Sequence, residues 1–328
     1  MIICKTPLRI SFLGGGTDLP EWLNNNDGQV ISATINKFGY IFFQEKDDLF
    51  NYKYKIRYYL NEEARNIKNI KHPVVKSCLE YYNLNKKILH VTFDGDLPAR
   101  SGLGSSSNFT AGLINTINHF KNIKLNKKRL AKETVFFEHK ILREFVGYQD
   151  QIAVSYGGLN HIKFSKKKFK VTNIKLSPKK RNGLNQSILL CYTNRQRSAS
   201  LIEKNKIKNI KRFKKIYKEI YDLTTDALKV LKSKKNKNWL RDFGSLINKY
   251  WSLKKQLDKK VSNRYIDKLC SNFLKSGAFG VKLLGAGNGG FILILARERV
   301  QRKIINNHKK LKFVKAKIED SGSKIIYS

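Results

Sequence analysis

The sequence predicts a two-domain α+β fold. Three observations point to it. The chain is 328 residues long, past the size at which one hydrophobic core keeps growing. Hydrophobic residues make up 41% of it, enough to fill real cores, and the charged fraction of 28% is ordinary for a globular protein. Short β-branched and aromatic runs dominate the first part, and long basic helical patterns dominate the later part. A boundary near residue 180 divides the chain into residues 1–180 and 181–328.

In the first part, Ile2–Leu13 reads as a strand running into Gly14-Gly15-Gly16. Val30–Ile35 and Gly39–Gln44 read as two strands, Lys55–Leu60 as a third, and Ile88–Phe93 as a fourth ending at Asp94-Gly95-Asp96. A glycine-serine loop follows. It opens a helix over about Ser106–Phe120, with Phe109, Leu113, Ile117 and Phe120 on one face. The spacing of Leu130, Phe137, Ile141 and Phe145 predicts a second helix over about Lys127–Phe145. Gly147–Asn160 reads as a loop and a short helix ending at Gly157-Gly158, and Ser177-Pro178 as a turn before the strand Ile188–Tyr192. Two long basic helices cover about Ser200–Leu231 and Asn238–Leu257. In the second, Trp239, Phe243, Leu246, Tyr250, Leu253 and Leu257 form a core stripe. A helix near Tyr265–Ser276 precedes two strands, Gly280–Leu284 and Phe291–Ala296, joined by Gly285–Gly290.

The net charge of +41 raises the question of a nucleic-acid or membrane partner. Composition argues for solvated surface instead. The chain has 51 Lys against 15 Arg, spread over its whole length, whereas phosphate and base recognition favours the Arg fork. Tyr52, Tyr54, Tyr58 and Tyr59 near Lys53, Lys55 and Arg57 are the only hint of an RNA-binding face, and their strand-like alternation points to core packing. The field attracts anionic substrates in either case. Cys4, Cys78, Cys191 and Cys270 form no CxxC or zinc pattern and read as reduced thiols. No apolar run reaches membrane-spanning length, and Lys5 and Arg9 interrupt any leader-like start, so a cytoplasmic location is expected.

Three glycine-rich stretches carry the chemistry. Ser101-Gly102-Leu103-Gly104-Ser105-Ser106-Ser107 follows a strand and opens a helix. A helix start offers unpaired N–H groups and a positive dipole end, so the loop fits nucleotide phosphates. No Walker loop occurs. Gly285-Ala286-Gly287-Asn288-Gly289-Gly290 lies between two strands, which excludes a dinucleotide fold; its backbone approaches a ligand or packs beneath the phosphate loop. Gly14-Gly15-Gly16-Thr17-Asp18 follows Arg9 in an apolar strand. A buried Arg needs a partner, either Asp18 or a ligand phosphate.

These stretches, in this order from residue 6 to about 296, resemble the GHMP small-molecule kinases, named for galactokinase, homoserine kinase, mevalonate kinase and phosphomevalonate kinase. The second motif of that family, P-x-x-x-G-L-G-S-S, stands here as Pro98 to Ser106, and the third as Lys282 to Gly290. Within the family, Thr6–Phe12 with Gly14–Asp18, Gly147–Gln151, Tyr156–Asn160, and Tyr192-Thr193-Asn194 with Arg197 are similar to the heptose-phosphate kinase branch. Fucokinase-like enzymes share much of this pattern, while the Glu-His pair of galactokinases is missing.

The resemblance implies an N-terminal ribosomal-protein-like β-α domain, a C-terminal ferredoxin-like domain and a cleft between them for ATP and sugar. It implies ATP contacts from Pro98 and Ser101–Ser107 and a Mg²⁺ site at Ser106 and Glu138. Asp150 matches the family's catalytic base, with Arg9 stabilising the transferring phosphoryl group or keeping Asp150 charged. Gly16, Thr17, Asp18 and Gly287 would meet the sugar, and Arg197 and Arg100 a phosphate on it. The implied reaction phosphorylates the 1-hydroxyl of a heptose phosphate for activated heptose and cell-surface polysaccharide. Its partner is a sugar phosphate rather than nucleic acid or membrane, with the oligomeric state open.

Overall fold

The computed structural model describes residues 1–165, 168–194, 209–210 and 212–328. Strand β1 (Ile2–Leu13) leads into the glycine turn, and the single helical turn α1 (Pro20–Leu23) starts on a proline. Strands β2 (Gly28–Glu45), β3 (Tyr54–Arg57) and β4 (Asn61–Ala64) precede α2 (Pro73–Tyr81) and β5 (Leu89–Gly95). Helices α3 (Ser105–Phe120), α4 (Lys127–Phe136) and α5 (Gln149–Tyr156) follow. Then come β6 (Leu159–Ser165), β7 (Lys168–Asn173), α6 (Pro178–Ser187) and β8 (Ile188–Tyr192). The later part holds α7 (Lys214–Lys232), α8 (Trp239–Gln256) and α9 (Arg264–Lys275), then β9 (Gly280–Leu283) and β10 (Phe291–Leu295). Helix α10 (Glu298–Asn307), β11 (Lys312–Lys315) and β12 (Lys324–Tyr327) complete it.

The two strands expected at Val30–Ile35 and Gly39–Gln44 are one. Strand β1 runs antiparallel along β2, from Ile2 opposite Phe43 to Leu13 opposite Ile31. The register shifts between Pro7 and Leu8, where Asn36 and Lys37 are skipped. A proline has no ladder N–H to give, so the break falls there. On its other edge β2 pairs first with β6 and then with β5. The first sheet therefore runs β12-β1-β2-β5-β3-β4, with β6 and β7 branching from β2. Its outermost strand comes from the far end of the chain, with Cys4 opposite Ile325.

The second sheet has the order β11-β8-β10-β9, all antiparallel. With helices after β8 and β10, this is the βαββαβ arrangement of a ferredoxin-like domain. The sequence stripe on α8 is core: Phe243, Tyr250 and Leu257 are buried, and Phe243 packs on Phe12 of β1 with ring centroids 5.4 Å apart. One apolar cluster thus joins β1 and β2 to helices α7 and α8 and to β10. No helix among the described residues is long and apolar enough to cross a membrane.

Two sequence expectations need correction. The helix expected over Lys127–Phe145 stops at Phe136 and passes through a π-helical turn, Phe137–Ile141. Phe145 is exposed, and Arg143 takes a left-handed φ of 54°, so no helical face reaches it. Widened turns of this kind redirect side chains and recur at functional sites; this one carries the buried Glu138. Ser177-Pro178 is not a free turn but the start of α6. Ser177 caps the helix by accepting the Lys180 N–H, and Pro178 takes the first position. The first residues of the helix expected from Ser200 lie outside the described residues.

Helix α8 rests on β9 through two glycines. A Cβ on Gly244 would come within 2.5 Å of the Phe279 carbonyl carbon, and one on Gly280 within 2.7 Å of the Gly244 Cα. Gly244→Ala should therefore force the helix off the sheet and cost roughly 1–3 kcal/mol, the usual range for overpacking. Urea unfolding reads this as a lower midpoint; an unchanged midpoint would mean the helix does not sit this close.

Candidate active site

The loop between β5 and α3 carries the strongest sequence signal, and its conformation depends on its glycines. Gly102 and Gly104 have φ of 86° and 73°, and Gly104 starts α3 with no side-chain cap. The first N–H groups of that helix are left for a ligand. Gly104 also makes room underneath: a Cβ there would meet the Arg9 side chain at 3.0 Å. Ser101 and Leu103 are buried below the loop surface. The Ser101 carbonyl accepts the Phe291 N–H at 2.9 Å, and a Cβ on Gly290 would come within 2.2 Å of the same oxygen. At Gly290, then, the third glycine stretch packs beneath the phosphate loop, while Gly285 and Ala286 line the cleft.

That cleft encloses about 1220 Å³. Pro98, Gly102, Gly104 and Ser105–Ser107 line it, as do Arg9, Arg100, Glu138, Asp150, Gly16 and Asp18. Thr17 and Gly287 do not. Thr17 is fully buried, with its hydroxyl donating to the Gly14 carbonyl at 2.8 Å and accepting the Gln29 N–H at 3.1 Å, so it braces the turn. Gly287 is pressed on the backbone of Val261, 2.5 Å from where its Cβ would sit. Arg197 lies outside the described residues.

Arg9 is 4% exposed, and its partner is Asp150 rather than Asp18. Its Nε donates to Asp150 Oδ1 at 2.7 Å, its Nη2 pairs with Oδ2, and its Nη1 donates to the Gly102 carbonyl at 2.7 Å. The fork geometry of guanidinium makes the bidentate pair possible. Asp18 is occupied elsewhere: it accepts the Gly16 N–H at 2.9 Å, the Gln149 N–H at 3.1 Å and the Gln149 amide at 3.3 Å.

Glu138 is 1% exposed. The hydroxyl that touches it is that of Ser107, at 3.0 Å, and the Gln151 amide donates to the same oxygen at 2.5 Å. Ser106, the expected partner, is exposed and lines the cleft. The second oxygen, Oε1, has no partner among the described residues. Burial, reinforced by the charges of Glu144 and Asp150, pushes the Glu138 carboxyl up to about 8. An unpartnered carboxylate oxygen on a group that also meets the Ser107 hydroxyl fits a hard cation that keeps waters and takes further oxygens from a nucleotide. No group of three His, Cys, Asp or Glu able to hold a metal alone occurs among the described residues.

Two buried lysines line the cleft from the second part. Lys282 donates to the carbonyls of Ser11 at 2.8 Å and Phe12 at 3.0 Å and lies 4.2 Å from the Tyr250 ring centroid. Burial, then the charges of Lys254 and Arg9, hold its ammonium well below the usual lysine range. Lys254 donates to the Gly285 carbonyl.

Sequence reasoning missed an aromatic part of the cleft lining. Tyr58, Tyr59, His72, Phe93 and Phe109 come from four separate segments. The His72 ring lies 4.7 Å from those of Tyr58 and Phe109. Only Tyr54 of the early tyrosines is core; Tyr59 is 75% exposed. The flat, apolar walls here suit a planar base.

Comparison with known proteins extends this picture. The family model described as GHMP kinases N terminal domain matches residues 69–158, and that described as GHMP kinases C terminal matches residues 227–312. A D-glycero-alpha-D-manno-heptose 7-phosphate kinase of Campylobacter jejuni is 28% identical over 97% of this chain and 93% of its own. A bifunctional fucokinase/GDP-fucose pyrophosphorylase of Arabidopsis thaliana is 27% identical over 91% of this chain, which spans 30% of that longer protein. The crystal structure of a D-glycero-D-manno-heptose 1-phosphate kinase from Bacteroides thetaiotaomicron shares the fold, with a TM-score of 0.80, 20% identity and full coverage of both chains.

The state of Glu138 predicts a stability profile for the protein without nucleotide or added cation. Its carboxyl is raised from 4.5 to about 8 on folding, so the folded state holds a proton that the unfolded state releases between those values. Its contribution is fully present below the lower value and is lost as pH rises through the higher one. Glu138→Gln should remove this loss, so the melting temperature of the variant gains on wild type between about pH 6 and about pH 9. An equal difference at both pH values would mean that Glu138 does not titrate in this window.

Proposed function

The chain belongs to the GHMP kinase family, and on that premise we propose that it is an ATP-dependent sugar kinase acting on the anomeric 1-hydroxyl of a heptose 7-phosphate. The observation that carries the reaction class is the Arg9 bridge. One guanidinium holds the Asp150 carboxylate and the Gly102 carbonyl of the phosphate loop. A hydroxyl presented to Asp150 is thereby next to any phosphate bound at the start of α3.

Phosphoryl transfer asks the protein for placement and charge more than for covalent chemistry. Here the loop over Ser101–Ser107 receives the ATP phosphates, and the aromatic end of the cleft receives the base. Asp150, with 27% of its side chain exposed, takes the proton of the acceptor hydroxyl as that oxygen attacks the γ-phosphorus and the bond from the γ-phosphorus to the bridging oxygen breaks, releasing ADP. Arg9 orients Asp150 and places positive charge beside the transferring group. Mg²⁺, when bound, neutralises charge on the phosphates; Glu138, Ser106 and Ser107 would hold it. Asp18 and Gly16 form the turn that meets the sugar. Arg100 at the cleft wall, with Arg197, would meet the substrate's own phosphate.

The choice of heptose 7-phosphate rests on the Campylobacter jejuni relative, which matches nearly the whole chain. The product would feed nucleotide-activated heptose for a cell-surface polysaccharide. We place the reaction in the cytoplasm, which suits the four unpaired, buried cysteines. We place the domain division near residue 180, between β7 and β8. A fucokinase-like reading has the Arabidopsis relative in its favour.

ATP consumption against D-glycero-D-manno-heptose 7-phosphate, mannose 6-phosphate, L-fucose and D-galactose tests the substrate. The heptose phosphate should give the highest kcat/KM and a 1-phosphate by phosphorus NMR; a preference for L-fucose would favour the other reading. Asp150→Asn should lower kcat about 10²–10⁴-fold, the range for general base catalysis, and leave the KM for ATP near wild type. Near-normal turnover would remove Asp150 from the base role.

A further inference from the structure

Two polar atoms at the Asp150 end of the cleft have no hydrogen-bond partner among the described residues. They are the Ser11 hydroxyl on β1 and the Gln149 amide oxygen at the start of α5, and both atoms are buried. Both residues line the cleft. The two residues border the same glycine: a Cβ on Gly15 would lie 3.6 Å from Ser11 Oγ, 3.1 Å from the nitrogen of the Gln149 amide and 3.0 Å from the Tyr250 hydroxyl. A side chain at Gly15 would crowd both groups.

The orientation of the Gln149 amide is set by chemistry. Its nitrogen faces Asp18 Oδ1 at 3.3 Å, and its backbone N–H meets Oδ2 at 3.1 Å. A carboxylate only accepts, so the nitrogen must point to it and the oxygen away from it. Ser11 is fixed by its own strand, whose carbonyls at Ser11 and Phe12 are held by Lys282. Buried polar groups in folded proteins are met by partners, and those left unmet call for an explanation. A ligand supplies one here.

We propose that Ser11 Oγ and Gln149 Oε1 form a polyol subsite that binds neighbouring hydroxyls of the sugar and sets its ring beside Asp150. The amide oxygen accepts and the serine hydroxyl both donates and accepts, which matches a diol. A phosphate or carboxylate would face the amide oxygen with like partial charge, so the subsite reads the sugar's hydroxyls and not its anionic group. The inference rests on the sugar-kinase reading and adds two specificity residues to it.

Ser11→Ala is the informative variant. Its hydroxyl makes no hydrogen bond among the described residues, so a merely structural role predicts no change on its removal. The subsite predicts a roughly tenfold rise in sugar KM, the size of one lost hydrogen bond to a ligand, with kcat and the KM for ATP unchanged and the melting temperature kept. Gln149→Met should raise sugar KM likewise, and a monodeoxy analogue lacking the bound hydroxyl should lose no further affinity in Ser11→Ala. Unchanged sugar KM in both variants, or an equal rise in the KM for ATP, would overturn the subsite. If wild type consumes ATP with no sugar, the proposed activity falls. The subsite is then read by saturation-transfer NMR with D-mannose and heptose 7-phosphate: weaker transfer in Ser11→Ala supports it, and equal transfer overturns it.

Discussion

Burying one guanidinium organises the functional half of this molecule. Arg9 sits in the middle of β1, where an unpartnered cation would be costly. Its acceptors come from two other places: Asp150 on α5 and the Gly102 carbonyl on the phosphate loop. Three segments that are far apart in sequence are pinned at one point. Ion pairs taken out of water return little net stability, so the pair is better understood as fixing geometry. The left-handed Gly104 belongs to the same constraint, because a side chain there would occupy the space of Arg9.

The second layer of support is backbone against backbone. The Ser101 carbonyl receives the Phe291 N–H, and Gly290 approaches the same oxygen too closely for any side chain. The phosphate loop is thus seated on β10 of the second sheet, and Tyr250 of α8 reaches over to the Gly15 carbonyl at 3.0 Å. The cleft is assembled from both parts of the chain. The net charge of +41 is distributed along the whole sequence, but part of it is internal: Lys282 is buried, and burial, then the charges of Lys254 and Arg9, hold its ammonium well below the usual lysine range. Such a site favours anionic ligands by its own field.

What could be read from sequence divides along a physical line. The glycine-serine loop and the helix it opens were legible because the glycines, serines and following helical pattern form one local unit. The ferredoxin-like order of the second sheet was accessible only through resemblance, since strand pairing is not written in local pattern. The break expected inside β2 was a misreading of Asn36 and Lys37, which face a register shift in β1 rather than a turn. Asp18 was the nearer candidate for Arg9 in sequence, yet the turn's own N–H groups and Gln149 already occupy it. The π-helical turn hid the contact of Glu138 with Ser107, because helical spacing does not predict a widened turn. The aromatic lining was illegible for a simpler reason: its five residues are scattered from Tyr58 to Phe109 and meet only in the fold.

The two carboxylates of the cleft illustrate how surroundings assign roles to one functional group. Asp150 faces a guanidinium and keeps part of its surface in the cleft. Glu138 is enclosed, has no cation against it, and is pushed up to about 8 by burial and by the negative charges of Glu144 and Asp150. Groups whose environments differ this way take different parts in acid–base and binding chemistry. Asp150 has its positive partner in the free protein. A cation brought against Glu138 would favour its charged form, and a carboxyl that gives up its proton to a cation couples the two binding events. The same functional group is thus paired with a guanidinium at Asp150 and buried beside other carboxylates at Glu138, and the roles proposed for the two draw on that difference.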